Sequence, residues 1–321
     1  MMNQPKKLDL YRSMLRIRRV EEALADRYSE QEMRCPMHLC IGQEAIAVGV
    51  CSALLPSDQV FSNHRAHGHY LAKGGDLPRM IAELYGRSTG CCGGRGGSMH
   101  LIDLDAGFMG STPIVGGTVP LAVGAAWASS LKNDEVVTVV FFGDGCFEEG
   151  VVHESMNFAA LHRLPIVFIC ENNDFSVYTH RNERQPGRPI YKLAKAHGID
   201  AAMGDGNDVD EVVSLAKKAI YQSRQGKGPF FLEFRTYRWR EHCGPEFDDH
   251  LNYRSPEEIE NGLKDCPLKR YKEKLEKVDP FFNEVSEKIE SEIDQEIQSA
   301  FGYALSSPKP SIKDAEGRLY A

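Results

Sequence analysis

Val136-Val137-Thr138-Val139-Val140-Phe141-Phe142 runs straight into Gly143-Asp144-Gly145. After 26 further residues, 146 to 171, Asn172-Asn173 closes a second apolar run, Pro165 to Glu171. Short β-branched and aromatic runs bounded by glycine and asparagine read as buried parallel strands. Between them, Glu149 to Leu161 reads as the crossover helix, so the three pieces form a βαβ unit with the Gly-Asp-Gly motif at its switch point. The expected fold class is α/β, a doubly wound, mainly parallel sheet.

Sheets of this kind bind ligands outside the carboxyl ends of their strands, which is where Asp144 and Asn173 fall. Asp144 offers a hard anionic oxygen and Asn173 a neutral one. Such a pair suits Mg²⁺ holding a diphosphate, because magnesium takes oxygen ligands and leaves most of its positions to phosphate and water. The backbone N–H groups of Gly145 and Cys146 open the following helix and are placed to donate to a diphosphate oxygen, aided by the helix dipole. Gly204-Asp205-Gly206 repeats the tripeptide but precedes Asn207-Asp208 and a helical pattern, so it reads as a turn and helix cap.

Outward from this unit the alternation of elements continues. Leu8 to Tyr28, Gln43 to Leu55 and Pro78 to Tyr85 carry helical spacing, and Gln59 to Ser62 reads as a short strand entering the His64-Arg65 turn. Gly90 to Gly97 holds five glycines without a preceding strand or an acidic residue at dinucleotide spacing, so it suits close backbone approach rather than a nicotinamide-binding turn. Pro120 to Ser130 is a small-residue helix, Asp208 to Gln225 a helix, and Pro229 to Arg235 a strand. Pro267 to Tyr303 is a charged helical tail broken near Pro280. Residues 1–260 are expected to form the ligand-binding unit and 261–321 a helical C-terminal extension of it.

The chain has 321 residues, a formal net charge of −8, 42% hydrophobic and 26% charged residues, the profile of an ordinary globular protein. An acidic balance excludes a broad electrostatic footprint for nucleic acid or an anionic membrane, so an anionic ligand needs a local positive site. Met1 to Lys7 is polar, and no stretch approaches about 18 uninterrupted apolar residues, so a cytoplasmic location is expected. The nine cysteines include the adjacent pair Cys91-Cys92 but no Cys-x-x-Cys spacing, which points to buried thiols rather than zinc, iron–sulfur or disulfide frameworks.

The spaced pair Gly143-Asp144-Gly145 and Asn172-Asn173 resembles the signature of thiamine diphosphate enzymes. His38-Leu39-Cys40-Ile41-Gly42-Gln43-Glu44-Ala45, Arg65-Ala66-His67-Gly68, Gly96-Gly97-Ser98-Met99-His100, Ile114-Val115-Gly116 and Thr236-Tyr237-Arg238 follow in the same family's order. Over roughly residues 8 to 260 the chain looks like the alpha subunit of the two-chain 2-oxo acid dehydrogenases and acetoin dehydrogenases. The resemblance implies thiamine diphosphate and Mg²⁺ as cofactors, with Asp144, the Asn173 side chain and the Phe175 carbonyl as metal ligands. It assigns the diphosphate to His64, Arg65, Gly143, Asp144, Gly145, Cys146, Asn173 and His242, and the pyrimidine ring to the Val115 N–H. His242 and His38 stand where the family has active-site histidines suited to proton transfer or to hydrogen bonding a reacting oxygen. His64 replaces a common tyrosine and Pro113 a common glycine. His67 and His100 read as structural.

In that family the cofactor serves as an electron sink for the carbanion left by carbon–carbon cleavage, and a beta subunit supplies the carboxylate for the pyrimidine ring. The resemblance therefore implies half an active site, an obligate beta partner in an α₂β₂ assembly, a small oxo substrate, and a lipoyl acyltransferase as acceptor. Departures follow Arg238: Trp239 to Asp249 lacks the family's His-Gly-His segment. Cys243 stands where a regulatory serine is familiar, which excludes phosphorylation at that position. This altered loop keeps a second reading open, a non-oxidative decarboxylase or carboligase with no lipoyl partner.

Overall fold

Every second residue of the strand Thr138–Gly143 faces the same helical layer, and its neighbours face the opposite one: Val139 and Phe141 join one apolar core, Val140 and Phe142 the other. A strand buried on both faces must be flanked by helices on both, the hallmark of a parallel α/β sheet. In this computed structural model, which describes residues 6–33 and 35–316, the strands in chain order are β1 (Gln59–Ser62), β2 (Phe108–Ser111), β3 (Thr138–Gly143), β4 (Ile166–Asn172), β5 (Phe175–Ser176), β6 (Thr179–His180), β7 (Asp200–Asp205) and β8 (Phe230–Arg235). Six of them form one sheet in the order β2-β1-β3-β4-β8-β7, parallel throughout. Met1 to Pro5, part of the segment read as lacking an apolar leader, lie outside the described residues.

The first core gathers α1 (Lys7–Tyr28), α2 (Glu44–Cys51), α3 (His67–Lys73) and α4 (Leu77–Leu84), together with α9 (Val209–Arg224) and α12 (Phe282–Ser306). The second holds α5 (Thr118–Lys132), α6 (Gly150–Leu161) and α8 (Tyr191–Ala196). α7 (Arg181–Arg184) follows the β5–β6 hairpin, and α10 (Pro256–Lys264) and α11 (Pro267–Glu276) precede α12. Among the described residues no helix is long and apolar enough to cross a membrane.

Several expectations shift. β3 and β4 are adjacent, so the strand order reverses not between them but between β1 and β3, and the ligand crevice of such a sheet opens there. Gly204 and Asp205 finish strand β7 rather than forming a turn, although Asp208 does cap α9, its carboxylate accepting from Asp210 N and Glu211 N. The helix expected directly after Gly145 is interrupted: Asp144–Glu148 is a separate 3₁₀ turn, Glu149 is extended, and α6 starts at Gly150. The tail breaks as expected, α11 ending at Glu276 and α12 starting at Phe282, while residue 260 falls inside α10. α12 lies against α1 and α4 through Tyr11–Ser286, the Arg16–Glu296 fork and the Tyr85–Phe301 ring contact.

Candidate active site

Everything that the sheet order concentrates at its reversal opens onto one cavity of about 270 Å³. From β1 the chain continues into Asn63, His64 and Arg65, and from β3 into Gly143, Asp144, Gly145 and Cys146. From β4 come Glu171, Asn173 and Phe175, and all ten line the cavity. His38 and Gln43 enter from the loop before α2, Val115 from the loop before α5, and Arg238 and His242 from the loop after β8. Every site residue expected from sequence therefore faces the same space.

Arg65 is buried, and among the described residues its guanidinium donates to two carbonyls, Leu39 O at 2.5 Å and His242 O at 3.2 Å. Among the described residues no carboxylate makes an ion pair with it, and burial and the cation of Arg238 push its pKa down to about 10 against the weaker opposing pull of Glu21 and Glu171. A buried cation without a counter-ion is costly unless an anion arrives. Around it stand three imidazoles, His38, His64 and His242, with ring centroids 4.6 to 5.3 Å apart. Burial and Arg65 hold all three uncharged, lowering His38 and His242 to about 3 and His64 to about 2. Nδ1 of His38 is buried and has no partner, and the same holds for Nε2 of Gln43. An unpartnered amide donor and an unpartnered imidazole nitrogen beside a buried guanidinium suit a pocket for an anion.

The opposite wall carries oxygen. Asp144 is almost fully buried, and burial pushes its carboxyl up to about 6 despite the opposing Arg184 guanidinium. Asn173 is held by its amide: Nδ2 donates to Gln43 Oε1 at 3.0 Å, while its carbonyl oxygen accepts from Phe175 N at 3.2 Å. Asp144, Asn173 and Phe175 all line this cavity, and a carboxylate, an amide oxygen and a backbone carbonyl are donor types that fit a hard divalent cation. Gly145 packs closely on the hairpin, since a Cβ there would stand 2.9 Å from Ser176 Oγ and 3.1 Å from Ser176 Cβ. Gly145 and Cys146 lie in the opening turn of this 3₁₀ segment and line the cavity beside Asp144.

Some of the site was not legible as such. Glu171 lines the cavity and its Oε1 accepts from His69 Nε2 at 3.1 Å, while His69 Nδ1 meets Ser62 Oγ at 2.8 Å; nothing in an apolar run ending in Glu171 signals this. Val177, also on the cavity, sits at the tip of the β5–β6 hairpin with φ +56°, a strained conformation for a β-branched residue. Arg238 Nη2 holds it there by donating to Val177 O at 3.1 Å. His67 and His100 are placed as structural groups: His67 bridges Glu21 Oε1 and Ser98 Oγ, and His100 Nδ1 pairs with Gly96 O. Pro113 lines the cavity, and the following turn closes through Gly117 N to Ile114 O at 3.0 Å.

The dehydrogenase E1 component family matches residues 12–313. The alpha subunit of the acetoin:2,6-dichlorophenolindophenol oxidoreductase of Bacillus subtilis (strain 168) is 37% identical over 316 residues, covering 98% of this chain and 93% of that one. The pyruvate dehydrogenase E1 component subunit alpha of Zymomonas mobilis is 39% identical over 314 residues, 96% of this chain and 86% of that one. A human testis-specific mitochondrial form of the same subunit is 35% identical over 98% of this chain and 80% of its own. The chain belongs to the dehydrogenase E1 component family, among the alpha subunits of the pyruvate and acetoin dehydrogenase type.

Proposed function

We propose that this chain carries the diphosphate and metal half of a thiamine diphosphate site, and that with a beta subunit it cleaves the carbon–carbon bond beside the carbonyl of a 2-oxo acid or of acetoin. The observation that carries the reading is Arg65, buried without a direct carboxylate partner among the described residues and ringed by three uncharged imidazoles, with Asp144 and Asn173 on the same cavity. Arg65, His64 and His242 would donate to the diphosphate, with the Gly145 and Cys146 N–H groups beside them. Mg²⁺ would take Asp144, Asn173 and the Phe175 carbonyl. The bound cofactor supplies an electron sink for the carbanion left by cleavage. His38 then has a defined role, since its buried Nδ1, free of other partners, can donate to or accept from an oxygen of the reacting molecule.

Ile114 and Val115 stand 70% and 48% exposed on the cavity rim, apolar surface that a beta partner carrying the pyrimidine half-site would cover. An α₂β₂ assembly and transfer of the acyl fragment to a lipoyl acyltransferase complete the reading. Both bacterial relatives are named for oxidising enzymes, which supports the oxidative reaction over the non-oxidative alternative. A cytoplasmic location accords with nine cysteines that are all free thiols.

The test is reconstitution with the beta subunit, thiamine diphosphate and Mg²⁺, offering pyruvate, branched 2-oxo acids and acetoin with a dye as electron acceptor. Dye reduction dependent on both cofactors is expected. Release of free aldehyde at the same rate with and without acceptor would replace the oxidative reaction by a decarboxylase, and failure to bind thiamine diphosphate would overturn the whole reading.

A further inference from the structure

The oxygen ligands sit on two backbone segments separated in sequence by α6 and β4, the turn Asp144–Glu148 and the stretch from Asn173 into the hairpin that begins at Phe175. One side chain ties them together. Arg184, the last residue of α7, donates from Nη2 to Asp144 Oδ2 at 2.5 Å, from Nη1 to Glu148 Oε1, and from Nε to Thr179 O at 3.1 Å. Its neighbour Gln185 reinforces the clasp, Nε2 donating to Asp144 O at 3.1 Å and to Glu148 Oε1 at 2.8 Å. The Arg184 side chain is itself only 11% exposed. Asp144 lines the cavity whereas Arg184 and Glu148 do not, so the guanidinium grips the carboxylate from behind.

We propose that Arg184 is the positioning residue of the cation site: by holding Oδ2 it turns the other Asp144 oxygen into the cavity, and through Thr179 it fixes the hairpin that presents the Phe175 carbonyl. The inference rests on the assignment of Asp144 and Phe175 as cation ligands. A carboxylate free to rotate about its last bond offers a cation many orientations of which few are productive; a guanidinium fork with three fixed contacts removes that freedom. Lysine cannot substitute fully, because a single ammonium does not span Asp144, Glu148 and the Thr179 carbonyl in one plane.

Mn²⁺ is the probe, its free concentration followed by electron paramagnetic resonance during titration of the assembled protein, beta partner included, in the presence of thiamine diphosphate. Arg184→Met is expected to weaken Mn²⁺ binding by roughly 10- to 100-fold, the usual scale for loss of a group that orients a metal ligand. Arg184→Lys, which keeps the charge beside Asp144, is expected to recover part of that loss, a rescue that general loosening of the loop would not show. Wild-type affinity in Arg184→Met, no recovery in Arg184→Lys, or tighter binding in Arg184→Met would each overturn the inference; the last would make the guanidinium a competitor of the cation. Asp144→Ala runs alongside as the control: if it binds Mn²⁺ as wild type does, the ligand assignment itself falls and the inference with it.

Discussion

Gln43 Oε1 accepts a hydrogen bond from Asn173 Nδ2 at 3.0 Å, joining the loop before α2 to the end of β4 across 130 residues of sequence. The contact turns the Nδ2 end of the Asn173 amide toward Gln43 and leaves Oδ1 for the proposed cation. Gln43→Ala is therefore expected to lower Mg²⁺-dependent thiamine diphosphate affinity by roughly 10-fold with little change in melting temperature. Quenching of intrinsic fluorescence on cofactor titration measures it; unchanged affinity would mean that Asn173 is oriented by other means.

The histidine trio makes a prediction about pH. His38, His64 and His242 are lowered to about 3, 2 and 3 from an ordinary value of 6.5, by burial first and then by the positive charge of Arg65, with Arg238 also facing them and Asp248 opposing at His242. Because the folded values are depressed, the unfolded chain binds more protons at acid pH, and stability is complete above about 6.5 and falls as pH drops toward 3. Each group contributes up to about 1.4 kcal/mol per pH unit within that window. Urea unfolding of His64→Gln should show a shallower acid slope than wild type; equal slopes would place the proton uptake elsewhere.

Arg18 and Glu44 form a buried two-point ion pair, Nε to Oε1 at 2.6 Å and Nη2 to Oε2 at 3.0 Å, and Glu44 Oε1 also accepts from Gly42 N at 3.0 Å. Arg18 further lies 4.3 Å from the Trp239 ring, so the pair pins the loop after β8 to α1. Glu44→Ala strands a buried guanidinium and is expected to cost about 3–5 kcal/mol in chemical denaturation. A loss under about 1 kcal/mol would mean that water replaces the carboxylate.

Gly42 adopts φ +97°, and a Cβ there would stand 2.5 Å from Trp239 Cδ1 and 2.7 Å from Tyr237 O. Gly42→Ala combines left-handed strain with a collision against backbone and an indole, so a loss of about 1–3 kcal/mol is expected, with weakened cofactor binding because the loop bearing His38 and Gln43 must move. A thermal melt within error of wild type would contradict it.

The central strands were legible because β3 and β4 are buried on both faces and therefore read as unbroken apolar runs ending in oxygen-bearing residues. β7, Asp200–Asp205, lies at the sheet edge with half-exposed alanines and a methionine, so it carries no such run and its Gly204-Asp205 end resembles a turn. β2, Phe108–Ser111, is four residues long and contains Gly110, too short and too polar for periodicity to register. His67 and His69 lie on α3, a seven-residue helix rich in histidine and glycine. Most of the cavity could be anticipated because its residues sit in motifs at strand ends. Arg184 could not: it comes from a four-residue helix 40 positions from Asp144, and only the folded hairpin brings the two together.

On this reading a cation on Asp144 and Asn173 holds the diphosphate of thiamine diphosphate against Arg65. Equilibrium binding of thiamine diphosphate to the assembled protein, with Mg²⁺ and with a chelator, for wild type and for Asp144→Ala, puts that arrangement to the proof. Tight binding that requires Mg²⁺ in wild type and vanishes in Asp144→Ala is the expected result; Mg²⁺-dependent binding that survives in Asp144→Ala would contradict it.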